Sequence, residues 1–178
     1  TLDSHGHGTA VAGIMGAMGN NSTGMSGMAW NALYLPVKVF EEADEYGQTG
    51  PIISLLQGLM YLRDLAGMAP FMKFIVNMSL GGYEETPSFW TTEAVRLADQ
   101  RSNLLMVSAC GNDKNDSDFA DVSFAVSADN YFPAALPEVI SVGASSSNTY
   151  NEMDTEVYEE DGLMWGTNWG DTVDFCAP

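Results

Sequence analysis

The chain has 178 residues, 46% of them hydrophobic, which is enough for one compact domain with a substantial core. Six Lys+Arg against 24 Asp+Glu give a formal net charge of −18, which excludes the basic surface that a nucleic acid or an anionic membrane requires. Two cysteines, Cys110 and Cys176, make neither a disulfide framework nor a zinc set, and no run is long and apolar enough to span a bilayer.

The first element is announced by Asp3-Ser4-His5-Gly6-His7-Gly8-Thr9. His7 stands between two glycines, and the missing Cβ atoms leave its imidazole open to close approach by another chain. Val11, Ile14 or Met15, and Met18 follow at helical spacing and predict a helix with one buried face. Residues 19–27 (GNNSTGMSG) form a turn-rich loop. Its Asn side chains and free carbonyls are oxygen donors of the kind calcium takes, but it holds no carboxylate, so a plain surface loop is the simpler reading. Residues 32–40 (ALYLPVKVF) read as a buried strand, with Pro36 admitted only near an edge or bulge. The acidic run from Glu41 to Glu45 reads as a solvated loop.

From Pro51 onward, Ile52, Leu55, Leu56, Leu59 and Leu62 fall on one side of a second helix. Residues 73–80 (KFIVNMSL) predict a core strand closed by Gly81-Gly82. Residues 87–101 predict a helix packing through Phe89, Trp90, Ala94, Val95 and Leu97. Strands follow at 104–109 (LLMVSA) and 139–144 (VISVGA), then an acidic exposed loop over 149–162 and a last short strand at 172–176. Strands separated by helices of this length are βαβ units. They predict an α/β fold in three layers, a mostly parallel sheet with helices on both faces. No internal repeat or linker interrupts residues 1–178, so one domain is expected. The chain opens within a motif and stops straight after a strand-like run, so it reads as the central part of a longer protein.

Open parallel sheets bind ligands beyond the carboxyl ends of their strands. Two clusters fall there: Ser79-Leu80-Gly81-Gly82 and Ala109-Cys110-Gly111-Asn112. A strand ending in Gly-Gly offers bare backbone against which an extended peptide can pair. Asn112 can present a carboxamide N–H to an oxygen that turns negative during acyl transfer; a turn-forming Asn is the alternative.

Together, Gly6-His7-Gly8-Thr9 with Val11-Ala12-Gly13, Asn77-Met78-Ser79-Leu80-Gly81-Gly82, Gly111-Asn112, and Phe132-Pro133-Ala134 leading into residues 139–144 stand in the order and spacing of the subtilisin family. The chain resembles the middle of a subtilisin-like serine protease catalytic domain, and Thr167-Asn168-Trp169-Gly170 and Asp174-Phe175-Cys176-Ala177-Pro178 carry the resemblance to the last residue. The resemblance implies a subtilisin-like fold, incomplete at both ends, and a serine endopeptidase acting on polypeptides as a monomer. It implies His7 as the triad histidine and Asn112 as the oxyanion-hole side chain, with His5 incidental. Ser79, Leu80 and Gly81 would line the substrate cleft. Ala109, Cys110 and Gly111 would form one wall of the pocket for the residue preceding the cut, with Tyr131 nearby narrowing it. Phe132-Pro133 matches a position where the family can carry a cis proline.

The loop carrying Asn21, Thr23 and Met25 resembles the family's calcium loop, with the Asn21 side chain and the other two carbonyls as donors. No cofactor is implied for the chemistry itself. A secreted or cell-surface location is implied by the family alone. The family's aspartate and Gly-Thr-Ser motifs find no match in residues 1–178, so this stretch alone should not turn over. Ala10 stands where the family often has a second His, and the two cysteines stand where small residues are usual. Two free, buried thiols are expected, with the question of a disulfide resting on the distance between their Cα atoms. A non-catalytic module that keeps the fold to bind peptides is the alternative function.

Overall fold

The structure is a computed structural model that describes residues 3–40, 52–84, 86–112, 127–145 and 167–177. The sequence readings at 41–45 and 149–162 lie outside the described residues. The chain divides into two compact units, Thr1–Gly58 and Leu59–Pro178.

In the first unit, α1 (His7–Gly16) begins where the sequence places it. A helix end leaves its last carbonyls without partners, and here the following loop supplies them. Gly27 N–H donates to Ala17 O at 2.8 Å, Met28 N–H to Ile14 O at 3.1 Å and Ala29 N–H to Met15 O at 2.8 Å. Gly27 lies so close to the backbone nitrogens of Gly16 and Ala17 that no Cβ fits there. The expected buried face of α1 is not found: none of its residues is buried, and Ile14 and Met18 are exposed. Residues 32–40 form no strand, and Leu33 and Leu35 are exposed. A strand exists only through its ladder, and the described part of this unit holds no second strand to pair with.

α2 (Ile52–Met68) buries Leu56, Leu59, Leu62 and Ala66 at helical spacing, while Ile52 and Ile53 stay exposed. In the second unit, β1 (Phe74–Met78) leads to a short β2 (Gly82–Tyr83), α3 (Phe89–Asp99) and β3 (Leu104–Ala109). β4 (Tyr131–Phe132), β5 (Val139–Ala144) and β6 (Phe175–Ala177) follow. The main sheet runs β1-β3-β5-β6, and every neighbouring pair is parallel. Its register sets Met78 beside Ser108, Ser108 beside Ser141 and Gly143 beside Cys176. β2 and β4 form a separate antiparallel pair, Gly82 opposite Phe132 and Tyr83 opposite Tyr131.

Alternation of side chains along a strand turns Leu104, Met106 and Ser108 of β3, and Val139 and Ser141 of β5, inward. α3 packs against β3 and buries Thr91, Ala94, Val95 and Ala98. Phe89 and Trp90, expected to pack in this core, are exposed instead. They sit in the first turn, off that stripe, and meet each other edge to face with ring centroids 5.3 Å apart. Ser88 caps α3 by accepting the Thr91 N–H at 3.1 Å. Asn103, just before β3, brings its carboxamide Nδ2 to the carbonyls of Ala66 (3.1 Å), Ala69 (3.2 Å) and Met72 (3.0 Å), tying the end of α2 to the sheet.

Candidate functional site

His7 is the first residue of α1 and is exposed. The N-cap, Gly6, has φ 88° and no side chain to satisfy the free N–H groups. Asp3 does this from upstream. Its Oδ1 accepts the Gly6 N–H at 3.0 Å, and its Oδ2 accepts both the Thr9 N–H and the Thr9 hydroxyl at 2.7 Å. Three donors favour the charged carboxylate. The Thr9 hydroxyl first, then the Thr9 and Gly6 backbone, hold the Asp3 carboxyl below its ordinary value, at about 2. Asp3 thus fixes the turn that presents His7. The signal was in the sequence: a carboxylate just ahead of an apolar helix with Thr9 in its first turn is a capping pattern. The His5 ring stands edge-on to the His7 ring, with centroids 6.4 Å apart.

The loop at 20–25 is tightly curled, with Asn20 at φ 57°, Ser22 at φ 59° and Gly24 at φ 62°. Asn21 Oδ1 accepts the Thr23 N–H at 3.0 Å, an Asx turn. One carboxamide oxygen and the carbonyls of Thr23 and Met25 fall short of the about 6–8 oxygens calcium takes. No group of three or more His, Cys, Asp or Glu able to hold a metal occurs among the described residues. The residues present therefore do not fit calcium by themselves.

In the second unit, the two clusters at the carboxyl ends of β1 and β3 are brought together. The buried Ser108 hydroxyl donates toward the carbonyls of Met78 at 3.0 Å and Leu80 at 3.4 Å. Asn77 Nδ2 donates to Ser79 Oγ at 3.0 Å. The Tyr131 ring bridges the clusters: one edge abuts the place where a Gly81 side chain would start, and the other lies 2.7–2.8 Å from the equivalent point of Gly111. Gly81 and Gly111 are thus glycines because an aromatic ring occupies the space between them. Gly111 also has φ 102°, a conformation that favours glycine. The Phe132–Pro133 peptide is cis, as the sequence suggested.

The turn after β3 is clamped from a third side. Asn168 N–H donates to Gly111 O and its Nδ2 to Cys110 O, both at 3.0 Å, and Cys110 N–H donates to Val142 O at 3.0 Å. Thr167 Oγ1 accepts the Ala144 N–H at 3.0 Å and stands 3.6 Å from Cys110 Sγ. Asn112 follows directly and is exposed, so its carboxamide leaves a rigid backbone turn. The clamp by Asn168 was not legible locally, since its side-chain partner Cys110 lies 58 positions away. His7 belongs to the first unit, and Ser79, Leu80, Gly81, Ala109, Cys110, Gly111 and Asn112 to the second.

Both cysteines are free, but only Cys110 is buried; Cys176, expected to be buried too, is exposed on β6. Burial pushes the Cys110 thiol up from its ordinary value, against a lowering by the Thr167 hydroxyl. Gly143 pairs with Cys176, and the β3–β5 register continued one residue past Ala109↔Val142 by the Cys110 N–H to Val142 O bond sets Cys110 on the other side of β5. Two sheet spacings of ~4.8 Å put the Cα atoms well beyond the reach of a disulfide.

The family model described as Subtilase family (Peptidase_S8) matches residues 1–177. The chain belongs to the subtilase family. The minor extracellular protease Epr of Bacillus subtilis (strain 168) is 34% identical over 176 residues, 99% of this chain and 22% of that protein. An intracellular serine protease of Paenibacillus polymyxa is 33% identical over 169 residues, 90% of this chain and 45% of that protein. The chain thus spans less than half the length of these subtilase relatives. Among solved structures, the S41 psychrophilic protease aligns with TM-score 0.64 at 23% identity, covering 94% of this chain and 50% of that one. A cold adapted subtilisin-like serine proteinase aligns with TM-score 0.54 at 23% identity, over 77% of this chain and 39% of that one. The fold is that of the subtilisins, a three-layer α/β architecture around a mostly parallel sheet.

Proposed function

We propose that this chain is the central part of a serine endopeptidase, in which His7 is the general base and Asn112 the side-chain donor of the oxyanion hole. His7 takes the proton of the nucleophilic serine and passes it to the leaving amine. The Asn112 carboxamide N–H stabilises the negative oxygen of the tetrahedral intermediate. The backbone of Ser79, Leu80 and Gly81 pairs with the extended substrate, and Ala109, Cys110 and Gly111 wall the pocket for the residue preceding the cut. The serine and the aspartate come from flanking segments of a longer protein, so residues 1–178 alone do not turn over.

The observation that carries this reading is the clamped turn at Cys110-Gly111. Tyr131, Asn168 and Val142 hold it at the carboxyl end of a central strand, and an oxyanion donor must be held still before charge develops. The Tyr131 ring between the two glycine walls supports a shallow pocket that takes small side chains. The chemistry needs no cofactor. A calcium ion at Asn21, Thr23 and Met25 is structural in this reading, its remaining oxygens coming from other segments. Net charge of −18 supports a monomer through mutual repulsion. Export from the cell is supported by the extracellular relative and by a cell wall-associated protease of Bacillus subtilis (strain 168), while the Paenibacillus relative is named intracellular.

The test is a serine-directed fluorophosphonate label together with peptide hydrolysis, applied to the full-length protein and to its His7→Ala variant. Labelling of the full-length protein and a loss of at least ~10³-fold in kcat for the variant are expected. An intact serine that fails to label, or unchanged hydrolysis by His7→Ala, overturns the endopeptidase reading and leaves a peptide-binding module.

A further inference from the structure

We propose that Cys110 and Cys176 form a two-thiolate site for a soft, thiophilic metal ion of the copper(I) type, seated over Gly143. Gly143 pairs with Cys176, and the β3–β5 register, carried one residue past Ala109↔Val142 by the Cys110 N–H to Val142 O bond, sets Cys110 on its other side, so the three side-chain positions share a face. The middle member has no side chain. Both flanking sulfurs lean into the space it leaves: Cys176 Sγ lies 3.4 Å and Cys110 Sγ 3.5 Å from the point where a Gly143 Cβ would stand. Thr167 Oγ1 is 3.5 Å from the same point.

Two sulfurs that face one gap, yet sit on backbones too far apart to be oxidised to a disulfide, are suited to sharing a ligand. Thiolates select soft ions such as copper(I), and a two-sulfur donor set suits an ion that accepts linear coordination. Zinc needs four ligands, and no group of three or more His, Cys, Asp or Glu that could hold a metal occurs among the described residues. Binding is an exchange without redox change: two S–H bonds break, two metal–sulfur bonds form, and two protons pass to solvent. Exposed Cys176 gives the entry path, and buried Cys110 is reached from it. Beside Cys110, the Thr167 hydroxyl stands 3.6 Å from the sulfur and can donate to the thiolate, while the S–H itself donates to the Asn168 carbonyl at 3.2 Å until its proton leaves. The site shares Cys110 with the wall of the proposed substrate pocket and adjoins Gly111-Asn112, so an ion bound there would act on the turn that carries the oxyanion donor.

The experiment is anaerobic titration of the fully reduced protein into copper(I) bicinchoninate, whose colour fades as copper is withdrawn. One equivalent withdrawn by the wild-type protein is expected, with at least ten-fold weaker withdrawal by Cys110→Ser, Cys176→Ser and Gly143→Ala. Gly143→Ala is the discriminating variant. Its methyl makes ordinary contacts of 3.4–3.5 Å with both sulfurs and Thr167 Oγ1, so the fold can accept it. It also leaves both cysteines and all eleven methionines in place and blocks only the space between the thiols. Circular dichroism confirms that each variant is folded; should Gly143→Ala fail that check, the exposed Cys176→Ser decides. No withdrawal by the wild-type protein, or wild-type withdrawal by Cys176→Ser or by folded Gly143→Ala, overturns the proposal.

Discussion

Gly111→Ala should be the most damaging single-methyl change in the second unit. At φ 102° a Cβ is strained whatever surrounds it, which costs about 1–3 kcal/mol. The new methyl would also start on top of the Asn168 carboxamide nitrogen and 2.7–2.8 Å from the Tyr131 ring. Neither can yield cheaply, because Asn168 is buried and tied to the carbonyl of Cys110. Overpacking of this kind adds about 1–3 kcal/mol. The expected loss is therefore about 2–6 kcal/mol, against a total stability of about 5–15 kcal/mol for a typical domain.

Two other glycines separate the causes. Gly24→Ala, at φ 62° with nothing within 4 Å of the new atom, should show the conformational cost alone. Gly82→Ala, with open space and no positive φ, should show little more than about 0.5 kcal/mol. Urea unfolding of the three variants, extrapolated linearly to water, measures the series. A Gly111→Ala variant no less stable than Gly24→Ala would refute the claim that Tyr131 and Asn168 lock this turn.

Three further outcomes follow from particular contacts. Asp3→Asn should destabilise the start of α1 at neutral pH. Since the folded carboxyl titrates at about 2, below its ordinary 3.8, the advantage of the wild type is full above pH ~4 and is lost as pH falls through ~2. Amide exchange at Gly6 and Thr9 across that window checks it, and a pH-independent difference would contradict it. Asn103→Ala should cost about 1–3 kcal/mol by removing the donor that serves the carbonyls of Ala66, Ala69 and Met72; thermal unfolding reads this directly. Tyr131→Ala should empty the space between Gly81 and Gly111. In the full-length protein it should shift cleavage preference by at least about ten-fold in kcat/KM toward larger side chains before the cut. An unchanged preference in a peptide-library assay would remove Tyr131 from the pocket.

Much of the fold was legible because its core strands are continuous apolar runs with sharp ends. β3 and β5 fall on the residues expected, 104–109 and 139–144, and β1 within the expected 73–80. The same rule failed at 32–40, where an apolar run carries no information about whether a partner strand lies beside it. It also misled at Phe89 and Trp90: hydrophobicity marks a residue that can be buried, whereas the angular position around α3 decides which residues are. β2 and β4 were missed because two-residue strands leave no periodicity to detect.

The family was set by the sequence, and the proposal of His7 and Asn112 as site residues came from it too, since both rest on residue type at short spacing. The reasons for the glycines of the two clusters were decided by the tertiary structure. Gly81 and Gly111 answer to one ring at Tyr131, and the turn of Gly111 answers to Asn168. Likewise the two thiols meet over Gly143 only because β5 runs between their strands. Such contacts join residues tens of positions apart, and chain order holds no record of a distance that only sheet register creates.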